Sequence, residues 1–215
     1  MDNRRTVRVR FALESMILPN REVLGSAPGV TRDRVVAART VYTIGHSTRT
    51  TRELVELLRA HRVEQVVDVR TIPKSRHNPQ FNRPTLSRSL HAVKIGYRHV
   101  KTLGGLRHAR PDSINLGWRN VSFRGFADYM RTDSFAAGLA RLEQLAARRT
   151  TAIMCAEALP WRCHRSLIAD ALTVAGWRVR HIQSHKAARL HKRTPFLRVR
   201  SGRLLYPGES PRGAS

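Results

Sequence analysis

Cysteine is scarce in this chain: two residues in 215. Two cannot build a disulfide framework, which excludes the small secreted scaffolds. Acid is scarce too, with 15 Asp and Glu against 40 Lys and Arg, a net charge of +25. Long apolar runs are missing, and none approaches the roughly 20 residues of a membrane span. The basic N-terminus is not followed by an apolar stretch, so no secretory signal is expected. No phosphate-binding Gly-x4-Gly-Lys-Ser/Thr, no Gly-x-Gly-x-x-Gly and no Gly-x-Ser-x-Gly occurs. These absences predict a soluble cytoplasmic protein without membrane partners, whose thiols stay free. No cofactor is assigned.

What is present is enough for one ordinary domain plus tails. A core of about 150 residues buries roughly 70% of its unfolded surface and needs no metal or disulfide to fold. The positive charge would draw polyanions. Arginine far outnumbers lysine, however, and a GC-rich genome yields that without selection for binding.

Residues 1–40 hold no period of 2 or 3.6, and Pro19, Gly25, Pro28 and Gly29 interrupt them. They read as a disordered arm or an over-extended start. Organisation begins at Val41. Val41–Ile44 is a strand, Thr50 or Thr51 caps a helix with Glu53 in its first turn, and Val66–Arg70 is a second strand. Thr71–Pro84 reads as loop because of Pro73, Pro79 and Pro84. A weak helix (Leu86–Val93), a third strand (Tyr97–Val100) and a turn or two of helix (Phe126–Met130) follow. A clear helix comes next, capped by Asp133 or Ser134. Thr151–Cys155 is a fourth strand, and a helix beginning near Arg162–Cys163 ends at Gly176. Arg178–Ile182 is the fifth strand. Residues 186–215 form a basic appendage with a hairpin around Ser201-Gly202. The sum is a three-layer α/β domain over 41–185, a mainly parallel sheet of about five strands flanked by helices.

In open parallel sheets, ligands bind beyond the carboxyl ends of the strands. His46 and Ser47 follow the first strand, Asp68 and Arg70 end the second, and Cys155 and Glu157 end the fourth. Cys155 is either a small core residue or a thiol whose pKa is lowered by a facing helix N-terminus and arginines. Cys163, His164 and Arg165 open the next helix, where free N–H groups favour an anion. Arg165 either clamps that anion or pairs with Glu157 or Asp68. Asp68 either acts as a base or holds Arg70, which must find a partner or a ligand so close to a buried strand. Lys74 reads as solvated, Arg76 as a further anion contact. Phe81 and Trp161 are core residues, loop anchors or stacking platforms for a base. Cys155, Cys163, His164, His181 and His185 include zinc-type ligands, but their spacing matches no finger and no metal site is expected.

The motifs combine in one order: Thr43-Ile44-Gly45-His46-Ser47, Val67-Asp68-Val69-Arg70, Gly104-Gly105, Met154-Cys155-Ala156-Glu157, Cys163-His164-Arg165, His181-Ile182. From Val41 to Ile182 this resembles the family called domain of unknown function 488. The resemblance implies an α/β bacterial or archaeal cytoplasmic protein and implies no reaction. Two functions follow as expectations. One is an enzyme acting on an anionic small molecule, a nucleotide or nucleic acid, with Cys155, Glu157, His46 and Asp68 as catalytic groups. In it Ser47, Arg70, Arg76, Cys163, His164 and Arg165 bind substrate. The other is a nucleic-acid-binding module whose Cys/His/Arg cluster is structural.

Overall fold

The computed structural model describes residues 39–208. The expected N-terminal arm lies outside them, apart from Arg39 and Thr40, as does the tail from residue 209.

Five parallel strands and one antiparallel strand make the main sheet. In chain order the strands are β1 (Thr40–Gly45), β2 (Gln65–Asp68), β3 (Gly96–His99), β4 (Thr151–Cys155), β5 (Arg178–His181) and β6 (Arg189–Leu190). Their spatial order is β3-β2-β4-β1-β5-β6, with only β6 antiparallel. β2 and β4 are buried at every position, as strands covered by helices on both faces must be. A separate antiparallel hairpin, β7 (Arg198–Arg200) and β8 (Arg203–Leu205), turns at Ser201 and Gly202. Both have positive φ, +47° and +72°, as a two-residue primed turn requires.

Two helices cover one face and three the other. Helix α1 (Thr51–Ala60) starts with a full capping box, in which Thr50 and Glu53 satisfy each other's backbone N–H groups. Its Leu54 and Leu58, with Leu86 and Leu90 of α2 (Arg83–Ala92), pack on Ile44, Val66, Ala152 and Met154. On the opposite face, Phe126 of α3 (Val121–Tyr129), Leu142 of α4 (Asp133–Ala146) and Leu167 of α5 (Arg165–Val174) pack on Val41, Val67 and Ile153. Alternate strand residues face opposite layers, so the apolar runs in β2 and β4 feed two cores at once.

Three local expectations are corrected. The 71–84 segment is not wholly irregular: Pro79–Phe81 forms a 3-10 turn and Pro84 sits in the first turn of α2. Proline is tolerated there because those N–H groups have no helical partner. The cap of α4 is Thr132, whose hydroxyl accepts the N–H of Phe135 at 3.3 Å. The last helix begins at Arg165 with His164 at its N-cap, because a 3-10 turn at Pro160–Arg162 and an extended Cys163 come first.

Residues 186–208 add β6 to the main sheet and bury Tyr206 in the core. A polar chain ties them to α5. Asp170, fully buried, accepts from Thr194 Oγ1 (2.7 Å), Thr194 N (3.0 Å), Tyr206 Oη (3.0 Å) and His191 Nε2 (2.9 Å). With Nε2 donating to the carboxylate, neutral His191 accepts at Nδ1 from His181 Nε2, 3.0 Å away. His181 Nδ1 then accepts the hydroxyl of Thr43 at 2.8 Å. Among the described residues no helix is long and apolar enough to cross a membrane.

Candidate active site

The connection leaving β4 runs to α5 on one face, while those leaving β1 and β2 run to α1 and α2 on the other. β4 lies between β1 and β2. The three carboxyl ends therefore diverge, and a crevice opens where their loops part. The ladders continue past the strands: His46 N and Ser47 N donate to Cys155 O (3.0 Å) and Ala156 O (2.8 Å), and Val69 N to Met154 O (3.0 Å). Gly45 allows this close approach, since a Cβ there would stand 1.8 Å from the carbonyl oxygen of Glu157. Ser47 has φ +50°, a conformation that costs a non-glycine residue on the order of 1 kcal/mol or more.

The crevice is a cleft of about 450 Å³, lined by His46, Ser47, Arg70, Lys74, Glu157 and Arg162 with neighbouring loop residues. The 71–82 loop closes one side, held by Arg83 N to Pro73 O (2.9 Å) and Ser75 N to Asn82 Oδ1 (2.7 Å). Within the described residues the side chains of Ser47, Lys74, Glu157 and Arg162 make no hydrogen bond or ion pair. Two cations thus face one carboxylate, with their bonding capacity unspent.

Beneath the cleft lies a buried ion pair. Asp68 Oδ1 accepts from Arg70 N (3.0 Å) and Nε (2.9 Å), and Oδ2 from Arg70 Nη2 (2.6 Å) and Tyr97 Oη (2.7 Å). Arg70 Nη2 also donates to Phe81 O at 2.8 Å, and Nη1 to His46 Nε2 at 3.2 Å. Four of the five guanidinium N–H groups are thereby used, leaving one for the cleft. Burial opposes the charge on Arg70, but the Asp68 carboxylate outweighs it and raises the pKa. Burial first, then Asp68, holds the Tyr97 hydroxyl far above its ordinary range. These bonds saturate Asp68 and fix the Arg70 guanidinium in place.

His46 is fixed from both sides. Nδ1 donates to the Ser47 carbonyl at 2.8 Å, so in the neutral ring Nε2 is the acceptor from Arg70. The ring stacks on Phe81 at 4.2 Å. Burial pushes its pKa down. The cleft therefore meets a neutral imidazole whose nitrogens are both engaged.

Behind this wall stands a second group. Cys155 and Cys163 are free and buried. His164 Nδ1 lies 3.9 Å from Cys155 Sγ and 3.7 Å from Cys163 Sγ, and Nε2 donates to Val69 O at 3.2 Å. The hydrogen bond from the Cys163 thiol, working against burial and helped by His164 and Arg165, holds Cys155 well below the ordinary thiol range. Donation to Cys155, together with burial, holds Cys163 well above it. Arg165 is 1% exposed and pairs with neither Glu157 nor Asp68, contrary to the internal pair considered from sequence. Its guanidinium donates to the carbonyls of Glu157 and Ala158, and among the described residues Nε has no partner. Its bonds to these carbonyls tie down the loop after β4.

Of the residues singled out from sequence, His46, Ser47, Arg70 and Glu157 line the cleft. Asp68, Cys155, Cys163, His164 and Arg165 stand behind it, and exposed Arg76 is outside its lining. Phe81 is core, whereas Trp161 is 57% exposed. Lys74 and Arg162 were not assigned to the site from sequence. Only the packing of the 71–82 loop and the 3-10 turn after β4 brings them in.

No curated protein and no solved structure matches the chain. A family profile described as Domain of unknown function DUF488 matches residues 50–172. That span holds Asp68, Arg70, Cys155, Glu157 and the Cys163–Arg165 triplet, while His46 and Ser47 lie just before it. Since the match covers more than half of the chain, the protein belongs to the DUF488 family.

Proposed function

We propose that this chain is an enzyme whose cleft binds a phosphate-bearing or otherwise anionic substrate. Glu157 is its proton carrier, and the Cys155–Cys163–His164 cluster is the reactive end of the site. One observation carries the reading: Lys74, Arg162, Ser47 and Glu157 share a cleft at the diverging strand ends, and their side chains are unpaired among the described residues. Surface charges elsewhere can serve solubility, but unpaired opposite charges gathered in a cleft are arranged for a ligand. About 450 Å³ fits a ligand of nucleotide size. Lys74 and Arg162 take the anion with the spare N–H of Arg70. Ser47 supplies a neutral donor, and Glu157 moves a proton at the substrate.

The net charge of +25 favours a second reading, a non-catalytic nucleic-acid-binding module. The mixture of acid, thiol and imidazole near the cleft supports chemistry over charge neutralisation alone.

Isothermal titration of the full chain with inorganic phosphate and with nucleoside monophosphates tests the first reading. Lys74→Ala and Arg162→Ala should each weaken binding roughly ten- to a hundredfold, because a hydrogen bond to a charged group contributes about 1.5–3 kcal/mol. Binding unchanged in the double variant would refute the cleft as the anion site. Tight binding of duplex DNA with a steep salt slope, indifferent to both replacements, would favour the second reading.

A further inference from the structure

The cleft leaves the two sulfurs and the imidazole behind it unexplained. The Sγ atoms of Cys155 and Cys163 and a ring nitrogen of His164 lie within 4.8 Å of one another. Cys155 is the last residue of β4, and His164 is the N-cap of α5. Rigid elements thus fix the spacing.

We propose that Cys155, Cys163 and His164 bind a zinc ion through their two sulfurs and Nδ1, with a fourth position left for water or the substrate anion. This rests on the reading above that the cluster is the reactive end of the site. Zn–S bonds near 2.3 Å and a Zn–N bond near 2.05 Å, at tetrahedral angles, put sulfur and nitrogen about 3.6 Å apart. The separations here are 3.7 and 3.9 Å. A contraction of a few tenths of an ångström brings both sulfur–nitrogen separations to the zinc value, and the two sulfurs already lie within 4.8 Å of each other.

The imidazole is already set for this. Its Nε2–H is spent on the Val69 carbonyl at 3.2 Å, which in the neutral ring leaves the Nδ1 lone pair facing both sulfurs. A ligand histidine whose other nitrogen donates to a backbone carbonyl is the usual outer-shell arrangement at a metal. Two thiolates and one imidazole are soft and borderline donors, which suit zinc over magnesium or calcium. No fourth Cys, His, Asp or Glu joins the cluster among the described residues. Three protein ligands with one open position are the pattern of catalytic rather than structural zinc.

Charge bookkeeping agrees. Zinc with two thiolates is neutral, and buried Arg165, which among the described residues holds carbonyls and no carboxylate, adds one positive charge. A hydroxide or a substrate anion in the fourth position balances it. Binding is coordination without electron transfer: each cysteine that was a thiol releases its proton to solvent. The spacing of Cys155 and Cys163 in sequence resembles no finger because a loop, a 3-10 turn and a tertiary contact bring the ligands together.

The test uses the full chain, purified without chelator and dialysed against metal-free buffer. Zinc is measured by mass spectrometry, and the stripped protein is then titrated with zinc and with cobalt. One equivalent of zinc per chain is expected, and the cobalt form should show thiolate-to-metal charge transfer. Cys163→Ala and His164→Gln should each weaken zinc binding by at least about a hundredfold, since even outer-shell changes cost ten- to a hundredfold. The cobalt spectrum of the unaltered protein needs no variant, so a misfolded variant cannot hide the answer. No stoichiometric zinc and no thiolate charge transfer, or a Cys155–Cys163 disulfide in the purified chain, overturns the proposal. Phosphate titration of the stripped protein separates the two readings. Phosphate that depends on Lys74 and Arg162 without zinc binding leaves the cleft standing and removes the metal, and the converse result does the reverse.

Discussion

Asp68→Asn should cost the fold about 3–5 kcal/mol, the penalty for leaving one member of a buried ion pair without its partner. The size follows from the geometry. Asp68 is fully buried and Arg70 is 6% exposed, so water cannot replace the lost carboxylate. The carboxylate accepts five hydrogen bonds, four from Arg70 and one from Tyr97, at 2.6–3.2 Å. An asparagine keeps one oxygen, and in either orientation its amide meets an Arg70 donor, Nε on one side or Nη2 on the other. For a domain of this size each kcal/mol moves the melting temperature by about 2–4 °C, so the midpoint should fall by roughly 10 °C. Circular-dichroism melts, with urea midpoints at 25 °C, read the change. Asp68→Leu combined with Arg70→Met should recover much of the stability, because an apolar pair removes the orphaned charge. That double variant should lose anion binding all the same. A loss below about 1 kcal/mol in the single variant, or no recovery in the double, would refute the reasoning that the pair is tightly coupled.

Three further outcomes follow from other parts of the molecule. Burial, then the neighbouring His191, Arg165 and Arg189, lowers His181 to a pKa of about 4 from 6.5. The unfolded chain therefore takes up a proton that the folded one refuses, and stability present above pH 6.5 is lost as pH falls toward 4. The difference is about 3 kcal/mol, it should appear as a falling melting temperature, and His181→Gln should flatten it. Asp170→Ala removes the acceptor of four hydrogen bonds, so amides over 191–206 should exchange at least tenfold faster. Unchanged protection there would count against the tie to α5. Gly45→Ala forces a Cβ against the Glu157 carbonyl and should cost on the order of 2 kcal/mol while weakening phosphate binding. A variant as stable as the parent would mean that the β1–β4 junction yields easily.

Much of this architecture was legible because its signals are local. Thr50 with Glu53, Gly176 after the last helix and Ser201-Gly202 in the hairpin each carry their own stereochemistry, and the structure bears them out. The ends of the first and fourth strands were legible too, since β-rich runs stop near Gly45 and at Cys155, whereas the second strand reads on to Arg70 and β2 ends at Asp68. Strand order was not. Nothing local says that β4 inserts between β1 and β2, yet that insertion opens the cleft. Lys74 reads as a solvated charge because Glu157 and Arg162, which line the same cleft, are more than 80 positions away. The Asp170 network escaped for the same reason: its members at 181, 191, 194 and 206 have no common period, and the contact exists only once the chain has folded back. The clustering of Cys155, Cys163 and His164 was not legible from spacing either, because a sheet edge and a helix start bring them together.

The central claim is that the diverging ends of β1, β2 and β4 form an anion-binding site. Amide and side-chain NMR shifts of the labelled full chain, followed during titration with inorganic phosphate at moderate salt, test it most directly. Saturable shifts concentrated at Ser47, Lys74, Ser75, Glu157 and Arg162 are predicted, reduced by Arg162→Ala without change elsewhere in the spectrum. Shifts spread over the exposed arginines of β6 to β8, with the cleft residues unmoved, would contradict it.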